Sequence, residues 1–159
     1  MYRRFLVALL VLGLVPMLLS AAPATVKGKI TINGKSRDLK YVYAYKDADN
    51  TIVLLSDAKL DDAVIGDRFA LMKLAKEDKF AGVQVKITPK GDIPTGTIYT
   101  AAEDGYFDAM GMHEWKKKTQ TATEIAGTLS IDKEHKFFKT TYQYSAEFDA
   151  PIGPAPKKH

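Results

Sequence analysis

Apolar and polar residues alternate with a period of two along most of the chain after residue 25. Val26, Ile30 and Ile32 lie on one side of this alternation and lysines or threonines on the other, as in a strand with one buried face. Asn33-Gly34 follows at once and predicts a tight hairpin turn. The same alternation predicts further strands over residues 39–45, 51–55, 83–87, 97–101, 106–115, 124–131 and 138–149. In the first of these, Leu39, Tyr41, Tyr43 and Tyr45 are expected to share one face.

The period changes once, between the third and fourth of these strands. Apolar residues recur three and four apart over 58–79, which predicts a helical segment with one buried face. Gly66 and Asp67 are expected to divide it into a short and a longer helix. Asp67 is expected to cap the second, because its side-chain oxygen can accept the free amide hydrogens of the first turn.

These elements predict a mainly β domain over residues 25–150. About eight antiparallel strands joined by short turns are expected to form a barrel or a sandwich, because open sheet edges invite aggregation. The helical insertion lies between the third and fourth strands. The first and last strands are both long and regular, so we expect them to pair. Residues 151–159 contain three prolines and predict a disordered tail that does not extend the sheet.

The first 24 residues predict export. Arg3 and Arg4 precede an uncharged apolar run over 5–19, and small residues follow up to Ala24, in the order typical of a secretory signal peptide. The apolar run is short for a membrane-spanning helix, which needs about 20 residues. We therefore expect cleavage before Thr25, a periplasmic or secreted location, and no stable membrane anchoring afterwards.

Composition excludes several classes of site. The chain has no cysteine, so it has no disulfide, no thiolate zinc site and no lipid-modified cysteine. Residues 25–159 carry 21 basic and 19 acidic residues, and this near balance indicates neither nucleic acid nor an anionic membrane as a partner. The cluster Lys116 to Lys118 is typical of a solvated turn, since no aromatic residue is interleaved with it.

Aromatic residues on the predicted strands are the most suggestive feature. A buried tyrosine hydroxyl needs a partner, so a tyrosine-rich interior predicts either a filled core or a ligand pocket with polar groups. Six of the aromatic residues on strands are expected to share an inward-facing register with apolar neighbours. The ligand-binding candidates are Tyr41, Tyr43, Tyr45, Tyr142, Tyr144 and Trp115.

Met110, Met112 and His113 form a second candidate site. Thioether sulfurs are soft ligands for Cu(I), and a neighbouring imidazole suits copper. In a strand, however, the two methionines share one face and His113 points to the other, so a copper site needs a bulge near Gly111. Two core methionines and one surface or cross-sheet histidine are the simpler interpretation. The other histidines, His135 and His159, have no partner at metal-ligand spacing.

Catalysis has little support in the sequence. There is no cysteine nucleophile, no G-x-S-x-G elbow and no H-E-x-x-H pair. A dyad of Asp108 with Glu114 or His113 is conceivable in a barrel mouth, but no motif marks it. We therefore assign no catalytic residue and expect no cofactor.

Several short segments together resemble a known group of proteins. They are Val26 to Lys35, Tyr43-Ala-Tyr45, Val53 to Asp57, Gly82-Val83, Gly111-Met-His113, Ile125-Ala-Gly127 and Tyr142 to Pro151. In this order they resemble a group of small exported bacterial domains of uncharacterised function. The resemblance implies a β-rich exported domain from a bacterium and brings no functional residue with it.

The sequence thus favours a non-catalytic binding module for a small apolar or aromatic ligand or for an envelope protein. Copper handling and a small hydrolase are the alternatives, and oligomeric state is not indicated.

Overall fold

The structure, a computed structural model, describes residues 23–156. Most of the predicted signal peptide and His159 therefore lie outside the described residues. The described strands are β1 (Thr25–Ile32), β2 (Lys35–Leu39), β3 (Tyr41–Asp47), β4 (Asn50–Ser56), β5 (Gly82–Ile87), β6 (Thr95–Tyr99), β7 (Tyr106–Asp108), β8 (Glu114–Gln120), β9 (Glu124–Phe137) and β10 (Thr140–Gly153). The helices are α1 (Asp62–Ile65) and α2 (Arg68–Lys76), with a 3₁₀ turn at Glu103–Gly105. No helix in the described part is long and apolar enough to cross a membrane.

The mainly β class is confirmed, and all ten described strands belong to one sheet. The first half of the sheet has the order β2-β1-β10-β9-β8 and the second has the order β3-β4-β5-β6-β7. The expected pairing of the first and last strands is also confirmed, since β1 lies antiparallel to β10 with Ile30 opposite Tyr144. The two halves meet where Ile152 and Gly153 pair in parallel with Ala44 and Tyr45. Over the described residues the sheet is not closed.

Side chains from both halves fill one continuous apolar cluster, the main core. Ile30, Leu129 and Tyr144 come from the first half, and Val53 and Ile98 from the second. The opposite face of the second half carries a smaller helix-side core that contains Leu54, Leu71 and Tyr99. Strands β3 and β4 therefore have apolar or aromatic side chains on both faces, since each face is covered.

The helices follow the fourth strand of the structure, not the third. Gly66 and Asp67 separate α1 from α2 as expected. Asp67 Oδ1 accepts the backbone N–H groups of Phe69 (2.9 Å) and Ala70 (3.1 Å), so the predicted cap is confirmed.

The strand count differs because the predicted second strand is two strands. Lys40 separates β2, which pairs with β1, from β3, which pairs with β4. The prediction that Leu39 shares a face with Tyr43 and Tyr45 is therefore wrong. Leu39 lies in the main core, whereas the tyrosines pack on the helix side. A break in the strand resets the alternation of faces on which that prediction depended.

The predicted strand over 106–115 is also interrupted. A turn closes at Met112, whose N–H donates to Ala109 O (3.4 Å), and Gly111 has a φ of +73°, which suits glycine. The predicted turn at Lys116 to Lys118 lies instead in β8, an outer strand of the sheet. Exposed lysines are common on such edge strands because they discourage pairing with other chains.

The first residues of the predicted tail belong to a strand. Strand β10 continues to Gly153, Pro151 lies opposite Glu124, and the Ile152 N–H donates to Thr123 O (2.8 Å). The predicted boundary at residue 150 therefore falls inside a strand. Proline has no backbone N–H group. It is compatible with this position because, near a strand end, not every N–H group has to donate a hydrogen bond within the sheet.

Candidate functional site

An apolar groove of about 500 Å³ runs along the edge of β3, where β10 diverges from it. Apart from Asp62, its lining is almost entirely apolar or aromatic, and we call it the tyrosine groove. It is lined by Ala24, Val42, Tyr43, Ala44, Tyr45, Asp62, Ile65, Pro151, Ile152, Gly153, Pro154 and Pro156. Its volume lies within the range of about 300–1,000 Å³ that is usual for small-molecule sites.

The groove exists because β10 pairs with β3 over only two residues. Ile152 and Gly153 lie beside Ala44 and Tyr45, and β10 belongs to the other half of the sheet before that point. The edge of β3 near Tyr43 has no strand partner on this side among the described residues. The last residues of β10 and the prolines after it therefore form one wall, and β3 forms the other.

Two tyrosine hydroxyls at the groove are held by hydrogen bonds, one from the segment before α1 and one from β5. Tyr43 Oη accepts the Leu60 N–H (2.8 Å), and Tyr45 Oη accepts from Gln84 Nε2 (3.2 Å). Burial raises the pKa of both tyrosines, and the nearby carboxylate of Asp47 adds to the shift at Tyr45. Both phenols are neutral near pH 7, and each donates its proton to a backbone carbonyl at 3.5 Å, Tyr43 to Leu60 O and Tyr45 to Ile65 O.

A second depression of about 430 Å³, the polar cleft, shares Tyr45 and Pro156 with the tyrosine groove. Its lining includes Lys46, Asp47, Arg68, Gln84, Lys86, Thr97 and Asp108.

Most charges of the polar cleft are already paired within the protein, and the Lys46 ammonium donates to Thr51 Oγ1 (3.2 Å). Arg68 Nη2 lies 3.2 Å from both carboxylate oxygens of Asp108, Thr97 Oγ1 donates to Asp108 (2.7 Å), and Lys86 pairs with Asp47 (2.8 Å). Burial lowers the pKa of Arg68, but Asp108 outweighs it and the pKa is raised. The cleft thus presents a neutralised polar surface beside the apolar groove.

A chain of hydrogen bonds connects the groove to the helix-side core. Tyr99 Oη donates to Gln84 Oε1 (3.1 Å), and Gln84 Nε2 donates to Tyr45 Oη. Tyr99 is fully buried, so this chain fixes the Gln84 amide and, through it, the Tyr45 hydroxyl.

The structure divides the six aromatic candidates among three environments. Tyr43 and Tyr45 line the groove, and Tyr41 is exposed outside it. Tyr142 and Tyr144 are buried in the main core, and Trp115 packs against that core with its ring stacked 5.5 Å from Phe148. The expected common register is therefore wrong, and the last three residues fill the core. Sequence reasoning also missed Pro151, Pro154 and Pro156, although an apolar, proline-rich segment directly after a strand was a usable signal.

His113 is partly buried, unlike the two methionines near it in the sequence. Its Nδ1 is 2.7 Å from Tyr144 Oη, and the ring packs on Gly96. Met110 and Met112 are exposed on the turn, so the expectation of two core methionines is wrong. Burial lowers the pKa of His113 to about 4, although the backbone of Gly96 acts in the opposite direction.

The conceivable dyad of Asp108 and His113 is not formed. Asp108 bonds to Thr97 on the helix side of the sheet, whereas His113 packs on Gly96 and Tyr144 on the main-core side. Glu114 is exposed on β8. Within residues 23–156, no group of three or more His, Asp or Glu side chains could hold a metal ion.

Comparison with known proteins gives no family for this chain. The sequence matches no protein-family model, and no curated protein is similar to it at a significant level.

Proposed function

We propose that this chain is an exported, non-catalytic binding module that holds a small apolar or aromatic ligand in the tyrosine groove. The observation that carries the proposal is the groove itself, an apolar surface of suitable volume with two neutral tyrosine hydroxyls. Apolar walls with a few fixed polar groups are the usual composition of small-molecule sites.

We also infer a finer description of the fold, in which the two halves of the sheet face each other as a sandwich. The support is the single main core, which takes side chains from both halves. Since side chains fill this interior, the ligand is proposed for the edge of β3 and not for the space between the halves.

The proposed location is the periplasm or the outside of a bacterial cell. Its support is the signal-like order of charged, apolar and small residues over 1–24 and the resemblance described above. An envelope protein in the groove is the alternative occupant. Copper handling through Met110, Met112 and His113 is the alternative function, and it requires His113 to leave Tyr144. Stoichiometric copper uptake by the purified chain would favour it over the groove.

The test uses N-phenyl-1-naphthylamine, an uncharged aromatic probe whose fluorescence rises in apolar surroundings. The chain, purified from the envelope fraction, is expected to bind the probe at one saturable site. Tyr43→Ser and Pro154→Glu are each expected to weaken binding about tenfold, because they remove aromatic surface or add a charge at the groove. Tyr41→Ser changes the same residue type on the same strand outside the groove, and its affinity is expected to match that of the unmodified chain.

Two outcomes would contradict the proposal. One is the absence of saturable probe binding, and the other is equal weakening by Tyr41→Ser and Tyr43→Ser. Native mass spectrometry of the same preparation separates the two occupants. A bound small molecule supports the proposal, whereas a stoichiometric protein partner and no probe binding would replace it with the envelope-protein alternative.

A further inference from the structure

The turn between β9 and β10 has an unusual residue at its first position. Phe138 has a φ of +48°, a left-handed conformation that is rare for a bulky side chain. Hairpin turns give such positions to Gly, Asn or Asp. The alternation of apolar and polar residues predicts Phe138 at the start of a strand, because no turn-forming residue marks this site.

A neighbouring turn of the same chain has the residue that the geometry favours. Asn33, between β1 and β2, has a φ of +49° and is followed by Gly34. The two turns are joined, because the Asn33 N–H donates to Thr141 O (2.9 Å) and the Thr141 N–H donates to Asn33 Oδ1 (2.8 Å). Backbone strain at an exposed position points to a role for the side chain that is kept there.

The Phe138 side chain is 76% exposed, and two further aromatic rings connect it to the main core. Its ring packs edge-on against Phe137, with centroids 4.7 Å apart. Phe137 in turn stacks on Phe107 of the main core at 4.8 Å. We call the turn of Phe138 and Lys139 the β9–β10 tip. Its exposed Phe138 ring, the wedge, packs through Phe137 on the main core.

Four lysines lie on this hairpin and beside the neighbouring turn. Lys133, Lys136 and Lys139 belong to the hairpin, and Lys35 follows the neighbouring turn; all four are exposed. Among the described residues, none of these four lysines forms an ion pair.

The acidic groups near the tip are mostly engaged. Asp132 pairs with Lys116 (3.8 Å), Glu103 accepts from Thr140 Oγ1 (2.9 Å), and Asp78 pairs with Arg37. Glu134 is exposed on β9. Glu103 and Glu134 form no ion pair among the described residues, so four unpaired lysines here exceed two unpaired carboxylates, although the overall charge of the chain is nearly balanced.

We propose that the β9–β10 tip docks this protein on a bilayer of anionic phospholipid. The lysines contact headgroup phosphates, and Phe138 enters the boundary with the acyl chains. A lipid surface fits better than a protein partner, because the tip is an exposed hairpin turn with an apolar side chain at its end and exposed lysines along its strands. The association is peripheral and reversible, since one aromatic wedge and a few lysines give only modest affinity.

The test is co-sedimentation with vesicles of phosphatidylglycerol and phosphatidylcholine at low salt. The chain is recovered from the cell envelope after export, and its N-terminus is determined by mass spectrometry. We expect binding to the mixed vesicles, at least tenfold weaker binding to phosphatidylcholine alone, and loss of binding at high salt.

Two matched substitutions identify the contribution of the wedge. Phe138→Asn is expected to reduce binding about tenfold, while the melting temperature stays the same or rises, because asparagine tolerates the positive φ. The control is Phe69→Asn on α2, since Phe69 is also 76% exposed and lies in a regular helix. Replacing Lys136 and Lys139 together by serine is expected to weaken binding at least tenfold.

Three outcomes would overturn the proposal. They are equal binding to both kinds of vesicle, equal loss in the Phe69 and Phe138 variants, and no vesicle binding at all. If Phe138→Asn binds like the unmodified chain while the lysine variant does not, Phe138 does not insert and the wedge is refuted.

Discussion

The two faces of β6 show how one strand serves two environments. On the main-core side, Gly96 lies under the His113 ring, whose Nδ1 bonds to the buried Tyr144 hydroxyl. On the helix side, Thr97 bonds to Asp108 at the polar cleft, and Tyr99 bonds to Gln84. Both faces contain tyrosine hydroxyls in hydrogen bonds, but the polar cleft lies on the helix side.

The difference shows that tyrosine content alone does not identify a binding site. Tyr144 is 3% exposed, and its hydroxyl has a partner that is itself partly buried. Tyr43 and Tyr45 are half-buried, and their rings line the tyrosine groove. The main-core side should therefore respond to substitution with large losses of stability, and the helix side with smaller losses and a change in ligand binding.

Gly96→Ala should give the largest effect. A Cβ at this position would overlap the His113 ring, so the ring has to move and its hydrogen bond to Tyr144 is strained or lost. Overpacking together with a broken buried hydrogen bond predicts a loss of about 4 kcal/mol in the free energy of unfolding, measured by urea denaturation.

Gly153→Ala is the control for this substitution. Gly153 also lies in a strand, and the nearest atom to an added Cβ would be Ala44 O at 3.6 Å, an ordinary contact. We expect its unfolding free energy to change by less than about 1 kcal/mol. Similar losses in the two variants would show that His113 is not tightly packed on Gly96.

Acid should destabilise the main-core side through His113. Folding lowers the pKa of His113 from 6.5 to about 4, so the unfolded state binds the proton more readily. The stabilisation is fully present above pH 6.5 and is lost as the pH falls toward 4. It is on the order of 3 kcal/mol.

The measurement compares the unmodified chain with His113→Gln, by urea unfolding at several values between pH 7 and pH 4. Carboxylates titrate in both proteins, so the difference between the two unfolding free energies isolates the imidazole. We expect the unmodified chain to lose more stability than the variant over this range. Parallel pH profiles would mean that His113 is protonated as easily in the folded state as in the unfolded one.

The periodic parts of the fold were predictable from sequence. The alternation at Val26 to Ile32, the Asn33-Gly34 turn and the Asp67 cap follow from local chemistry, and all three occur in the structure. These features depend on residues within one turn or one strand, so no tertiary information was needed to predict them.

The assignment of faces was not predictable in the same way. Tyr41 to Tyr45 alternate with Val42 and Ala44, and both sets are apolar because helices cover one face of β3 and the main core covers the other. The pattern therefore does not show which face is which, and the break at Lys40 leaves no mark in composition. The turn at Phe138 was missed because no turn-forming residue occupies it, whereas the turn after Met110 contains Gly111, which the alternation of the predicted strand obscured.

Tyr43→Phe should give the smallest effect and should separate stability from binding on the helix side. The substitution removes one hydroxyl, which accepts the Leu60 N–H at 2.8 Å, and keeps the aromatic ring in the tyrosine groove. Because Tyr43 is only half-buried, water can replace the lost partner, and we expect a loss of about 1 kcal/mol in the free energy of unfolding. Binding of N-phenyl-1-naphthylamine, an apolar probe with little need for that hydroxyl, should stay within about twofold. A large loss of stability would instead mean that Tyr43 serves the helix-side core as Tyr144 serves the main core, and the contrast between the two faces would then fail.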